Sequence, residues 1–355
     1  MRALVAMSGG VDSSVAAALM LEGGHDVVGV TLKQWEGPDG EMPVAGCCTV
    51  ADAEDARRAA AQLDIPYYVL DYVDEFRASV VDRFVEDYHA GRTPNPCVEC
   101  NRRVRFHALL ERTTELGCDV LVTGHHARVR HDEDGYHLVR AFDGTKDQSY
   151  VLHMLGQAEL ARVMLPVGEM TKVGVREHAA RLGLRTASKP DSQDLCFVGR
   201  GTYRDFLREN SQRAATPGPI VDTSGAVVGS HRGTIDFTIG QRRGIDVAAE
   251  GRRYVVDIQP DRATVVIGTQ EDLAVDGCLV EGVTFVAGDP PSSPFVDCQL
   301  RYRSKAVPAV LVARGSGRWE VRFAEPQSAV APGQAAVFYS GDEVLGGGTI
   351  ATALR

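Results

Sequence analysis

The chain has 355 residues, 44% of them apolar and 24% charged, a balance that excludes disorder as the main state and suggests two or three domains. Its 38 Lys and Arg against 48 Asp and Glu give a formal charge of −10, which excludes a general nucleic-acid coat but allows a local basic groove. Apolar runs such as Ser13 to Leu21 fall well short of the about 20 residues a bilayer span takes, and Asp12 leaves no room for a signal-peptide core, so a cytoplasmic protein with mostly reduced cysteines is expected.

The first stretch alternates strands and helices. Ala3 to Met7 reads as a buried parallel strand, Val11 to Leu21 as a helix, Val27 to Leu32 as a second strand and Ala51 to Leu63 as an Ala-rich helix. Tyr67 to Leu70 reads as a third strand, Asp74 to Tyr88 and Arg102 to Leu116 as helices, and Asp119 to Thr123 as a fourth strand. This rhythm predicts an α/β fold, a doubly wound parallel sheet with ligands at the carboxyl ends of its strands. After about residue 208 the texture changes. Gly/Pro turns such as Pro217-Gly218, Pro290-Pro291 and Pro332-Gly333 separate short Val-rich runs, the signature of small antiparallel barrels. The predicted division is 1–207, a catalytic domain; 208–270, a small β domain; and 271–355, a C-terminal β-barrel. Residues 208–355 hold 15 Lys/Arg against 17 Asp/Glu, where 1–207 hold 23 against 31, so the barrels are the less acidic half and suit gripping RNA.

Ser8-Gly9-Gly10-Val11-Asp12-Ser13-Ser14 joins the first strand to the first helix. Paired glycines let backbone N–H groups approach an anion, and the helix N-terminus adds its partial positive charge. Ser8, Ser13 and Ser14 offer hydroxyls, while the lysine of a Walker loop is missing. A tight turn with a Ser/Asp cap is the bland alternative. The run SGGVDSS resembles the PP-loop of ATP pyrophosphatases, which cleave ATP between the α- and β-phosphates and adenylate an acceptor oxygen. That resemblance implies Mg²⁺ near the phosphates, held by Asp12.

Thr93 to Asn101 reads as a loop because of Pro94 and Pro96, with a helix starting near Asn101. It presents Cys97 and Cys100 at the mouth of that helix, where the helix end and Arg102, Arg103 and Arg105 favour a thiolate. A third thiol, Cys196, lies in Asp191 to Phe197. One Cys-x-x-Cys alone is a weak signal. No second pair completes a zinc site, and inert thiols remain the other bland alternative.

Six further segments occur together: PNP-x-x-x-CN from Pro94, TGHHAR (123–128), KDQSYVL (146–152), DSQDLCF (191–197), PGPI (217–220) and TIGQRRG (238–244). In this order, from Ser8 to about Gln334, the chain resembles the bacterial tRNA-specific 2-thiouridylases of the MnmA type. The resemblance implies ATP-dependent adenylation of the C2 oxygen of a wobble uridine in tRNA, and its replacement by sulfur with release of AMP and pyrophosphate. Cys100 matches the family's nucleophile and Cys196 its persulfide carrier. In this account a sulfur-relay protein or cysteine desulfurase supplies the sulfur, and a Cys100–Cys196 disulfide is left to be reduced. By motif position, Ala6, Met7, Ser8, Gly9, Gly10, Val11, Asp12, Ser13, Leu32 and Gly124 line the ATP site. Asn95, Pro96 and Cys97 meet the target base, and His125, Lys146, Asp147, Gln148, Tyr302, Arg303 and Gln334 contact tRNA. His126 receives no role. Many family members carry Asp where this chain has Cys97, a residue assigned acid/base work. Cys97, Cys100 and Cys196 therefore also allow a second account, as three ligands of a [4Fe–4S] cluster whose fourth iron takes the incoming sulfide. A monomer is expected. Two rival readings are a PP-loop adenylating enzyme acting on a small molecule and an RNA-binding protein that stores metal.

Overall fold

The computed structural model describes residues 1–36, 49–191, 195–198, 201–211, 216–245, 247 and 251–355. Cys47 and Cys48, and Ser192 to Asp194 of the third-thiol segment, lie outside them. Strands β1 (Arg2–Ala6), β2 (Asp26–Lys33), β3 (Tyr67–Asp71), β4 (Val120–Thr123) and, later in the chain, β7 (Val163–Met164) form a parallel sheet in the order β3-β2-β1-β4-β7. Alternation of side chains places Ala3, Val5 and Met7 on one face, against helices α1 (Val11–Glu22) and α2 (Val50–Gln62), and Leu4 on the other. The opposite face packs on two long helices, 73–89 and 96–115, each continuous through a π-helical stretch.

The strand order reverses between β1 and β4, whose ends are in register at Ala6 and Thr123. Connections leaving these two strands diverge, which opens a crevice at their carboxyl ends. The glycine loop leaves β1 there and Gly124 leaves β4.

Between β4 and β7 the chain makes a hairpin of β5 (Ala127–Asp132) and β6 (Gly135–Arg140). It does not join the parallel sheet. Strands β8 (Gly218–Asp222), β9 (Val227–His231), β10 (Tyr254–Gln259) and β11 (Thr264–Gly268) form a small sheet in the order β10-β11-β8-β9 around Ile220, Val255, Val265 and Ile267. Strands β12 (Ala274–Phe285), β13 (Phe295–Gln299), β14 (Val307–Ala313), β15 (Trp319–Ser328), β16 (Ala335–Ser340) and β17 (Glu343–Leu354) close into a barrel through the additional pairing β12–β17. The hairpin extends this barrel's sheet, with Val139 opposite Glu343 and Leu138 opposite Val344. One core cluster accordingly runs from Leu4 and Leu121 through Leu138 and Tyr150 to Val337 and Tyr339. Among the described residues no helix is long and apolar enough to cross a membrane.

The expected loop at Thr93 to Asn101 requires correction. Helix begins at Pro96, because proline at the first helical position loses only an N–H that has no helical partner. Asn95 caps it, its Oδ1 accepting from the N–H groups of Cys97 (3.1 Å) and Val98 (3.4 Å). Cys97 is thus the second helical residue and Cys100 the fifth. Only Cys97 sits within the turn where the helix end acts strongly on a thiol.

Candidate active site

A cavity of about 1130 Å³ opens at the β1/β4 switch point and runs to the turn after β13. The glycine loop forms its floor. Gly9 has φ +70°, and a Cβ there would lie 2.1 Å from the Asp52 carbonyl oxygen, so this position admits only glycine. Gly124 approaches the loop from β4, where a Cβ would stand 2.6 Å from the Ser13 nitrogen. Ser13 Oγ accepts from the Ser8 N–H at 3.1 Å, while Ser14 turns its hydroxyl back to the Gly10 carbonyl at 2.9 Å and is fully buried. Of the three hydroxyls, Ser8 and Ser13 line the cavity and Ser14 does not. Among the expected nucleotide residues, Ala6, Met7, Ser8, Gly10, Val11, Asp12, Ser13, Leu32 and Gly124 line it, and Gly9 does not.

Four groups that sequence reasoning passed over surround the loop. Lys172 begins the helix Lys172–Arg181 and is buried, its Nζ 2.7 Å from both carboxylate oxygens of Asp12 and 2.9 Å from Asp191. It supplies beside the loop the cation that the loop lacks. His126 Nε2 stands 3.1 Å from Asp12 Oδ1. Burial alone would raise the Asp12 pKa, but bonds to His126 and Lys172 outweigh it and hold the carboxyl below its ordinary value. Asp191 also receives Lys146 and Arg176, each at 2.9 Å; burial is again outweighed and its pKa falls to about 2. Lys189 Nζ joins the Gly9 carbonyl (2.9 Å) to Asp52 and Asp55 (2.7 Å each). No local pattern signals these contacts, whose partners are 134 to 180 residues apart in sequence for Lys189.

The thiols lie further along the cavity wall. Cys97 is exposed, Cys100 buried and Cys196 half-buried, and all three line the cavity. Gln34, at the end of β2, donates from Nε2 to Cys100 Sγ at 3.3 Å. Cys196 precedes Phe197, whose ring packs edge-on against Trp35 (6.4 Å), Phe76 (6.0 Å), Phe84 (5.1 Å) and Phe206 (5.1 Å). Of the three arginines after the thiols, only Arg105 lines the cavity; Arg102 and Arg103 face Glu99 at 3.5 and 3.9 Å.

A group of three His, Cys, Asp or Glu side chains able to hold a metal ion does not occur among the described residues. Cys97, Cys100 and Cys196 are therefore not assembled as a cluster ligand set. Mg²⁺ asks less of the protein, one or two carboxylates together with substrate phosphates, and Asp12 beside the loop meets that requirement once Lys172 yields an oxygen.

The barrel side closes the cavity. Tyr302, Arg303 and Lys305 line it on the turn after β13, a turn held by Gln299 Nε2 donating to the carbonyls of Arg301 (3.1 Å) and Tyr302 (2.9 Å). Arg301 turns inward to the carbonyls of Ile239 (3.1 Å) and Ala329 (2.8 Å). Lys146, Asp147 and Gln148 also line the cavity, Gln148 Oε1 accepting from the His126 N–H at 2.8 Å. Asp147 is engaged locally, accepting from Arg140 (2.9 Å), the Ala141 N–H (3.0 Å) and the Ser149 N–H and hydroxyl (3.1 and 2.8 Å). His125 bonds to Thr123 Oγ1 at 2.8 Å, and burial pushes its pKa down to about 3, so it is neutral at neutral pH. His125 and His126 face different partners and form no metal pair. Gln334 is not in the wall: its amide donates to the Thr93 carbonyl at 2.7 Å and ties the barrel to the thiol helix. Cys118, Cys278 and Cys298 are buried in cores, as packing residues.

Known proteins resemble the chain along nearly its whole length. The tRNA-specific 2-thiouridylase MnmA of Roseiflexus sp. (strain RS-1) is 49% identical over 368 residues, covering 98% of each chain. The chain belongs to the tRNA-specific 2-thiouridylase family. The 2-thiouridylase of Geobacter metallireducens is 47% identical over 359 residues, covering 99% of this chain and 97% of that one. Residues 1–200 match the family described as a tRNA methyl transferase HUP domain, 204–269 a tRNA methyl transferase PRC-barrel domain and 275–350 an aminomethyltransferase β-barrel domain. A solved 4-thiouridine synthetase–RNA complex with bound ATP aligns at 18% identity over 59% of this chain and 50% of that one, with a TM-score of 0.37, a likeness too slight to inform the site.

Proposed function

We propose that this 2-thiouridylase family member uses ATP to convert the wobble uridine of tRNA to 2-thiouridine. The observation that carries the reading is that a pyrophosphate-type glycine loop and three thiols line one cavity. The loop, with Ser8, Gly10, Asp12 and Ser13, holds the phosphates, and Leu32 and Gly124 border the nucleotide. Mg²⁺ at Asp12 would neutralise phosphate charge. Because a base stacked in an anticodon loop is out of reach, the uridine is extruded into the cavity beside Asn95, Pro96 and Cys97. Lys146, Gln148, Tyr302 and Arg303 suit phosphate pairing and base stacking around it.

The uridine C2 oxygen attacks the α-phosphorus and pyrophosphate leaves. This turns a poor leaving oxygen into a good one. The terminal sulfur of a Cys196 persulfide, loaded by a protein sulfur donor, attacks C2 and AMP departs. Cys100 then attacks Cys196 Sγ, breaking the S–S bond; the outer sulfur stays on C2 and a Cys100–Cys196 disulfide remains. An external thiol reductant returns it to two thiols with two electrons. The protein acts as a cytoplasmic monomer, with 1–207 carrying the chemistry and 208–270 and 271–355 gripping RNA.

The test is incubation with ATP, tRNA and a persulfide donor, followed by nucleoside analysis. The reading expects 2-thiouridine with AMP and pyrophosphate, and its loss in Cys100→Ser and Cys196→Ser. ATP turnover without tRNA points to a small-molecule acceptor. A methylated nucleoside points to the methyl transfer that the matched domain descriptions name. The rival account, a [4Fe–4S] cluster on Cys97, Cys100 and Cys196, requires those thiols to gather from where they stand. Anaerobic purification with iron and acid-labile sulfide analysis separates the two, since full activity of a colourless, iron-free protein removes the cluster.

A further inference from the structure

Gln34 is 1% exposed, directly after β2, a strand flanked by partners on both sides. A primary amide taken fully out of water requires hydrogen-bond partners. This one aims its donor at a sulfur, Cys100 Sγ, 3.3 Å away. Neutral sulfur is a weak acceptor, whereas sulfur carrying negative charge makes a charge-assisted bond roughly twice as strong. The donor therefore does little for a resting thiol and more for a sulfur in the act of attack. Cys100 is the fifth helical residue, beyond the turn where the helix end acts most strongly, and Arg102 and Arg103 are turned to Glu99.

The same strand end reaches the other thiol segment. Leu32 lines the nucleotide end of the cavity, Gln34 touches Cys100, and Trp35 packs on Phe197, the residue after Cys196. Three nearly consecutive residues at and just beyond the end of β2 thus meet the nucleotide wall, the Cys100 thiol and the residue after Cys196.

We infer that Gln34 is a positioning residue that holds Cys100 Sγ toward the cavity and stabilises the charge it carries during attack. The inference rests on the function proposed above, but its first readout does not. Gln34→Met keeps the side chain's length and removes the donor; Gln34→Glu keeps its shape and places a carboxylate beside the sulfur. Alkylation by iodoacetamide is followed residue by residue by peptide mass spectrometry, with exposed Cys97 as internal control. Cys100 modification is expected to slow roughly tenfold in Gln34→Met, the loss of about one charge-assisted hydrogen bond, and at least as much in Gln34→Glu, with Cys97 unchanged. In the full reaction, kcat for 2-thiouridine falls while KM for ATP holds, and in a single turnover tRNA-dependent AMP forms at the wild-type rate. Wild-type Cys100 alkylation in both variants, with unchanged Tm, overturns the inference. A general gain in Cys97 and Cys100 reactivity with a lowered Tm also overturns it, by assigning Gln34 to packing alone. Absence of 2-thiouridine from the wild type would sink the proposed function and leave the alkylation result standing.

Discussion

Gly9→Ala tests the link between backbone geometry and nucleotide binding. Two costs coincide at this residue. Its φ of +70° lies in the left-handed region, which costs an L-residue about 1–2 kcal/mol. The new Cβ would also sit 2.1 Å from the Asp52 carbonyl oxygen and must retreat by about 1.3 Å to reach the ordinary contact distance of 3.4 Å. Asp52 cannot yield cheaply, because it belongs to the capping box of α2 and is held by Lys189. Overpacking of this kind adds about 1–3 kcal/mol, so a loss of about 2–5 kcal/mol in stability is expected. The strain displaces the loop itself, and a shift near 1 Å in a positioned group costs about 100-fold. Calorimetric titration with a non-hydrolysable ATP analogue, beside thermal unfolding, measures both effects. Gly10→Ala is the steric control, since its Cβ would meet only Ser8 Oγ at 3.5 Å and its φ is −92°, and it should unfold as the wild type does. ATP-analogue affinity in Gly9→Ala equal to wild type would refute the reasoning.

Lys172→Met removes the cation shared by Asp12 and Asp191. Both carboxyls have folded pKa values below the unfolded value, that of Asp191 at about 2, so their stabilisation is full above the unfolded value and is lost as pH falls through the folded ones. Without Lys172 the acid-unfolding midpoint should rise and stability at pH 7 should drop by about 1–3 kcal/mol, read by circular dichroism across a pH series. Asp147→Ala strands donors from Arg140, Ala141 and Ser149, so a loss of about 2–4 kcal/mol is expected in denaturant titration; a purely tRNA-facing Asp147 would leave stability unchanged. Arg303→Ala should weaken tRNA binding and lower the slope of log affinity against log salt by about one, while ATP binding stays constant; unchanged affinity across salt concentrations counts against the basic wall.

The parallel sheet was legible because each strand is a short apolar run bounded by polar turns, and the glycine loop because its residue types are needed at adjacent positions. Pro96 misled: read as a breaker, it opens a helix, and Asn95 before it was the available signal of a cap. The contacts of Lys172, Lys189 and Gln34 were illegible for a different reason. Each side chain meets a partner on another element 66 to 180 residues away, and periodicity describes only what neighbours do. His126 shows the same limit, for nothing beside it in sequence reveals Asp12. The hairpin Ala127–Arg140 escaped because it pairs, at Val139 and Glu343, with a strand far later in the chain, and a sheet edge carries no label of its partner.

That hairpin has a practical consequence. Its Leu138 and Val139 are buried and pair with Val344 and Glu343 of β17, so a fragment ending near residue 207 would lose that partner strand and expose unpaired N–H and C=O groups beside apolar side chains. Such an edge recruits further copies of itself, and the truncated catalytic half should precipitate or swap strands where the intact chain stays dispersed. Reagent and handle cannot be divided at the obvious seam: a variant with altered RNA preference must be built by editing the barrel in place rather than by exchanging it.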